Sequence, residues 1–287
     1  MGSGELLTPI LMGVMLGGLY ALSALGLSMV FGVMRLINLA HGDLVVLASY
    51  ASYAVMTLLG INPILGLLIT VPFMFILGIL IQKYLMSKAV TIGTEAPLII
   101  AFGLSLVIQN ANQIMWSPQS RGINTVYSQA SFHLFGRQLP MIYLLDFLGG
   151  IVVMLLLHGF LKWTYMGRAI SATAQDTRAS KLMGINTKRI YYWAFGIAMI
   201  SAAVAGTFLG MTFPFTPTSG TTFLTIAFGT VIIGGLGSML GTFLGGIILG
   251  LVQTLSAHFF GANTQMLTVY LIILIILAFR PQGLFGR

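Results

Sequence analysis

Cysteine is absent from the 287 residues, which excludes disulfides, thiolate nucleophiles and Cys-based zinc or iron–sulfur sites. Charge is scarce as well: 6% of residues are Asp, Glu, Lys or Arg, where a soluble domain carries about 25%. No Gly-x-x-x-x-Gly-Lys-Ser/Thr phosphate loop occurs, so any ATP dependence must come from a partner. No nucleophile, base and orienting group can be assembled, which leaves no catalytic residue and argues against an enzyme. His133, His158 and His258 fall on separate elements with no ligand spacing, so no metal site is expected. What is present is apolar: 57% hydrophobic residues and a mean hydropathy of +1.00. The apolar runs have the ~20-residue length of spanning helices, not the ~10-residue alternation of barrel strands. The chain reads as an all-α integral membrane protein.

The runs are 9–33, 39–60, 63–81, 97–115, 141–161, 190–212, 223–237, 240–258 and 266–279, separated by Gly, Pro or charge. These make nine crossings, or eight if one of the two short runs is re-entrant. The run from Pro9 to about Val33 lacks a basic n-region and exceeds a signal peptide, so it is taken as the first span. Between Lys162 and Arg189 six cations face Asp176, a net +5. The positive-inside rule makes this the cytoplasmic side. Counting outward places Arg35, Lys83, Lys88, Arg280 and Arg287 inside too, leaving Arg121 and Arg137 outside. The N-terminus is then periplasmic or extracellular, the C-terminus cytoplasmic, and 116–140 the largest outside loop. The formal charge of +8 thus reads as topology, not as nucleic-acid binding.

The order of spans suggests a weak inverted repeat, with the first four matching the last four around 141–161. In each half the first two spans are joined by irregular sequence, Arg35–Asp43 and Phe213–Gly220. Either these are broken helices lining a path, since backbone polar groups at membrane depth need protein or water partners, or they are interfacial turns. Asn38, His41 and Asp43 form the densest polar cluster near an apolar region. Inside the membrane such a cluster is functional by default, while at the headgroups it is an ordinary loop. Asn38-Leu-Ala40 has a distant echo of the Asn-Pro-Ala motif of water channels, with no second copy. The glycines at 13, 17, 18 and 26 and the later set from Gly229 to Gly250 suit close helix packing. The seventeen methionines are scattered, as core filler would be. Arg168–Arg189 places Ala172, Asp176, Ala179 and Met183 at helical spacing and ends at Gly184, which predicts one short amphipathic helix with a glycine C-cap. It either lies on anionic lipid heads or docks against a cytoplasmic protein.

The run from Gly17 through Asn38-Leu-Ala-His-Gly-Asp43 closely resembles the N-terminal signature of the branched-chain amino acid ABC transporter permeases. Ala179–Asn186, Ala203-Val-Ala-Gly206, Gly234-Gly-Leu-Gly-Ser238 with Gly241, and Arg280-Pro-Gln-Gly-Leu-Phe285 extend the match over essentially the whole chain, and it looks like the first of that importer's two permeases. The resemblance implies a single multi-pass permease domain in a bacterial inner membrane. Its partners would be a second homologous permease, two ATP-binding subunits holding ATP and Mg, and a periplasmic solute-binding protein. Against the Glu-Ala-Ala-x-x-x-Gly coupling loop common in ABC permeases, Gly184 sets the register onto Arg178-Ala179-Ser180, and only Ala179 and Gly184 match. The implied coupling residues are Asp176, Arg178, Ala179, Ser180, Leu182, Gly184 and Ile185 within a 162–189 coupling segment. The expected translocation path is a small polar gate around Asn38, His41, Gly42, Thr216, Pro217 and Thr218. Relatives carry urea, short amides or small organic acids, so the same complex with another solute is one alternative. A passive small-solute channel is another, although a channel needs no docking helix. An ion-coupled transporter would rest on Asp43 and Asp146 alone.

Overall fold

The computed structural model describes residues 6–93, 95–280 and 282–285; Pro281 of the C-terminal motif and Arg287, placed above on the inside, lie outside them. The chain begins with α1 (Leu7–Met34), α2 (His41–Leu59) and α3 (Pro63–Ile81). A π-helical turn, Gln82–Met86, carries α3 into α4 (Ser87–Ile92), and α5 (Ala96–Trp116) follows. The next connection holds α6 (Val126–Gln129) and an antiparallel hairpin, β1 (Ser131–Leu134) with β2 (Arg137–Pro140), Ser131 opposite Pro140. After α7 (Met141–Trp163) come α8 (Tyr165–Gln175) and α9 (Thr177–Leu182), then α10 (Thr187–Thr212), α11 (Gly220–Gly234), α12 (Met239–Phe260) and α13 (Gln265–Phe279).

Among the described residues eight helices are long and apolar enough to cross a membrane, the last of them α13 together with the 3-10 turn Ala262–Thr264 that precedes it, and α11, at 15 residues, is a shorter apolar helix. All nine apolar runs are thus helices. The hairpin in 116–140 is a departure from the purely helical expectation. Side chains cap the helices where a turn must end: Asn62 accepts from Ile64 N ahead of Pro63, and Ser238 accepts from Gly241 N.

The two longest helices, α1 and α10, are apolar all round and buried along most of their length, so they form the centre. Glycines set their spacing. A methyl group on Gly17 would meet the backbone of Ile247 at 2.5 Å and one on Gly150 the carbonyl of Gly18 at 2.7 Å, so α12 and α7 approach α1 backbone to backbone. On the other side α10 packs on α3 through Gly196 against Phe75 and Gly78 against Met199. α5 and α13 are peripheral, with only 22% and 11% of their apolar stretches buried.

The 168–183 stretch is not one helix. α8 ends at Gln175, and Asp176 adopts an extended conformation and caps α9 by accepting from Arg178 N at 2.8 Å and Ala179 N at 3.0 Å. An aspartate in a helical pattern can serve as well as an N-cap, and here the cap wins. α8 packs on α1, α7 and α10, so this segment is fixed to the bundle. Gly184 ends α9 at φ +80° as expected, with Ile185 N donating to Ser180 O at 3.0 Å.

Candidate functional site at the helix breaks

α1 closes at Arg35, which takes the left-handed conformation at φ +52° and turns the chain back on itself. Residues 36–40 then run beside the last turns of α1. His41 Nε2 donates to the carbonyl of Ser23 at 2.8 Å, a point about 16 Å along α1 from Met34 at the helical rise. α2 therefore starts near mid-depth, not at the headgroups. The cluster read in the sequence is buried: Asn38 is 3% exposed, His41 0% and Asp43 2%. Asn38 Oδ1 accepts from Ala40 N, but among the described residues Asn38 Nδ2 and His41 Nδ1 find no partner. Buried polar atoms left open in this way mark places where a water, a ligand or a second conformation completes the bonding.

The second break mirrors the first. After α10 the chain doubles back through Phe213–Ser219, where Phe215 and Arg121 exchange backbone hydrogen bonds of 2.8 and 2.9 Å. Thr216 Oγ1 lies 2.9 Å from Ser219 Oγ and 3.3 Å from Thr218 Oγ1, and Thr216 N donates to the Ser219 hydroxyl. α11 begins at Gly220, directly against Gly42 and Asp43. A methyl on Gly220 would collide with the Asp43 carboxylate, and one on Gly42 with Gly220 O and Leu224. Two helix N-termini thus meet inside the protein, each carrying about half a positive charge. Asp43 sits in the first turn of α2 between them.

α5 fixes that carboxylate. Ser105 Oγ donates to Asp43 Oδ2 at 2.5 Å and Gln109 Nε2 to Asp43 Oδ1 at 3.0 Å. Ser105, Gln109 and Asn112 stand at i, i+4 and i+7, one polar stripe on a helix whose other polar amides are Asn110 and Gln113. The 105/109/112 spacing is visible in the sequence, but nothing within α5 says which element that stripe faces. The predicted path residues therefore gather at one junction without sharing a hydrogen-bond network. His41 faces Ser23 and Gly26 of α1, Pro217 is buried, and Thr218 is exposed, with Thr221, Thr222 and Thr225 exposed beyond it.

The predicted coupling segment lies at the C-terminal end of α1, where Asp176 and Arg178 line one cavity with Arg35. Asp176, Arg178, Ala179, Leu182 and Gly184 are exposed, Ile185 is half-buried and Ser180 is buried. Leu182 and Met183 stand 89% and 82% exposed at the tip of α9. The Gly235–Ser238 turn packs at the same end, Gly237 at φ +82° against Gly32 of α1. No group of three His, Asp or Glu side chains that could hold a metal ion occurs among the described residues.

Residues 10–279 match the family described as the permease component of branched-chain amino acid transport systems. The high-affinity branched-chain amino acid transport system permease protein BraD of Pseudomonas aeruginosa is 31% identical, over 96% of this chain and 94% of that protein. LivH of Salmonella typhimurium, with the same description, is 29% identical with the same coverage. The ribose import permease protein RbsC of Bacillus subtilis is 28% identical over 75% of this chain and 66% of its own length. Among solved structures, PsaBC from Streptococcus pneumoniae in complex with Fab aligns with a TM-score of 0.52 at 11% identity, covering 93% of this chain and 90% of that one. That likeness concerns the fold alone.

Proposed function

Given that the chain belongs to the family of permease components of branched-chain amino acid transport systems, we propose that it carries branched-chain or related small amino acids across the cytoplasmic membrane by alternating access, as the transmembrane subunit of an ATP-binding cassette importer. The observation that carries the mechanism is the meeting of the α2 and α11 N-termini around Gly42, Asp43 and Gly220. Interrupted helices at membrane depth are tolerated where they line a cavity, and in transporters they mark the place where access switches.

The pattern of helix contacts supports an inverted repeat. Exchanging α1 with α10, α2 with α11 and α3 with α12 turns the α1–α12 contact into α10–α3 and the α1–α11 contact into α10–α2. α1 runs toward the basic end and α10 away from it, as inverted copies must. By the charge count the basic end is cytoplasmic, so the N-terminus is periplasmic. The complete importer contains a second permease, two ATP-binding subunits that hold ATP and Mg, and a periplasmic solute-binding protein. α9, with Arg178, Ala179, Leu182 and Gly184, rides on an ATP-binding subunit, and its exposed Leu182 and Met183 supply the apolar contact.

The test is to co-express the chain with its neighbours, purify the complex and measure uptake of radiolabelled leucine and urea into proteoliposomes with and without ATP. ATP-dependent leucine uptake is expected. Urea uptake would keep the architecture and move the substrate, and ATP-independent flux through this chain alone would replace the importer with a channel.

A further inference from the structure

The junction of the two helix breaks is shut at its outer end by side chains that the mechanism above does not use. α2 runs from Asp43 away from Arg35: Ser49 Oγ donates to Gly206 O of α10 at 2.7 Å, and one turn further along α10 the carbonyl of Gly210 accepts from Ile123 N at 2.7 Å. α5 runs beside α2, and the two keep step. Ser105 and Gln109 bond Asp43, and seven residues beyond Gln109 and beyond Asp43, about 10 Å at the helical rise, Trp116 and Tyr50 stack with ring centroids 5.0 Å apart. Phe215 of the second break meets Tyr50 edge-on at 4.9 Å, and both are 0% exposed. α2, α5 and the second break therefore join in one aromatic cover, outward of Asp43.

One residue ties all three together. Arg121 Nε and Nη2 donate to Trp116 O, the last carbonyl of α5, at 3.1 and 2.7 Å. Its Nη1 donates to Tyr53 OH of α2 at 2.9 Å, with the guanidinium carbon 5.2 Å from the centre of that ring. Its backbone exchanges hydrogen bonds with Phe215. The acceptors are a carbonyl and a phenol, and the guanidinium is half-buried. Parting a buried ion pair would strand a charge, whereas these bonds can be traded for water. Beneath the cover polar atoms stand open. Asn112, one turn inward of Trp116 on the stripe that holds Asp43, is 1% exposed, and neither end of its amide finds a partner among the described residues; nor does Tyr50 OH. Such groups suit a passage that is wetted in a second conformation, not a permanent plug.

We infer that Arg121 is the clasp of an outer gate. While its guanidinium holds Trp116 O and Tyr53 OH, the cover of Tyr50, Trp116 and Phe215 is shut; release of those contacts opens the junction around Asp43 to the side that the charge count makes periplasmic. Phe215 lies five residues before Gly220, so freeing it also frees the start of α11 from Gly42 and Asp43. The gate rests on the transport function proposed above, while the closure rests on the contacts of Arg121 alone.

The test exploits the absence of cysteine, since one introduced thiol reports access without background. Asn112→Cys lies beneath the cover, and Gln119→Cys, exposed in the outer loop, is the control. Right-side-out vesicles bearing the permease–ATPase complex, either empty or loaded with ATP and orthovanadate, are treated outside with a membrane-impermeant methanethiosulfonate. Gln119→Cys should react quickly in both conditions, and Asn112→Cys at rates that differ about fivefold between them. With the bonds of the clasp removed, Arg121→Gln should raise the slower rate by about tenfold and Tyr53→Phe by about threefold, each shrinking the difference between conditions. Equal rates for Asn112→Cys in the two conditions, in a complex that takes up leucine with ATP, would overturn the gate. So would unchanged labelling in both clasp variants, or a variant that speeds both conditions alike and keeps their ratio, as a merely structural arginine would. If Arg121→Gln does not assemble, Tyr53→Phe and the difference between conditions decide. Failure of ATP-driven leucine uptake in the unsubstituted complex refutes instead the function on which the gate rests.

Discussion

At Asp43 a carboxylate stands where two helices begin, and glycine at 220 is what lets it stand there. The arrangement is compact because both partners are small or short: Gly42 lets α2 reach α11, and Gly220 leaves room for the carboxylate. Gly220→Ala is expected to cost about 2–3 kcal/mol, since the methyl meets a fixed carboxylate and the α2 backbone behind it. Adding Asp43→Ala in the same chain should recover part of that loss, because the methyl then has somewhere to go. Thermal melts of the four purified chains form a double-mutant cycle that checks this. Strictly additive costs would mean that the two residues do not touch. The residue scale also shows what sequence reading caught and missed. Asn38, His41 and Asp43 were conspicuous as polar residues in apolar surroundings. Ser105 and Gln109, which hold Asp43, looked like incidental polarity on α5, because nothing in their own helix says which element they face.

α1 is a packing element before it is a crossing one. Its glycines at 13, 17, 18 and 26 serve three neighbouring helices: α12 at the first two, α7 at the third, α10 and His41 at the fourth. A side chain at Gly246 of α12 would press its Cβ to 2.6 Å from both Ala21 N and Gly17 O, where no flexible atom can give way. Gly246→Leu is therefore expected to cost upward of about 3 kcal/mol and to abolish the single folded peak in size-exclusion chromatography. Gly103→Leu on α5, which would meet nothing within 4 Å, is the contrasting case and should change stability by less than about 0.5 kcal/mol. Helix spans and the role of glycine were legible because hydropathy and small-residue spacing are local properties. The break between α8 and α9 was not, since Asp176 fits a continuous helical stripe and an N-cap equally well. The competition was settled by α8 docking on α1, α7 and α10.

For the whole molecule the separation of the two sites is the central fact. The helix break lies near mid-depth, and α9 lies beyond the end of α1 that carries Arg35. A nucleotide-driven movement at α9 can reach the break through α8, which touches both α1 and α10, the two helices that end at the breaks. Such a ligand effect requires a different affinity for each state. Gly184→Val tests this route. At φ +80° a β-branched residue strains the end of α9 by about 1–2 kcal/mol while meeting no neighbour. Assembly and ATP hydrolysis should persist, and ATP-driven leucine uptake should fall by about tenfold. Uptake at the wild-type rate in that variant would remove α9 from the coupling route.

Sequence alone determined the membrane class, the nine apolar helices, the basic end and the two interruptions, because length, hydropathy and charge asymmetry act on each segment by itself. It also carried the family, through motifs spread along the whole chain. Tertiary structure alone decided that the two interruptions meet, that α5 supplies the hydrogen bonds to Asp43, and that Asp146 is enclosed with one carboxylate oxygen unpartnered among the described residues. Those facts depend on which helix faces which, and in an apolar environment that choice is made by close packing at glycines and by the need to satisfy buried polar groups, neither of which any single segment contains.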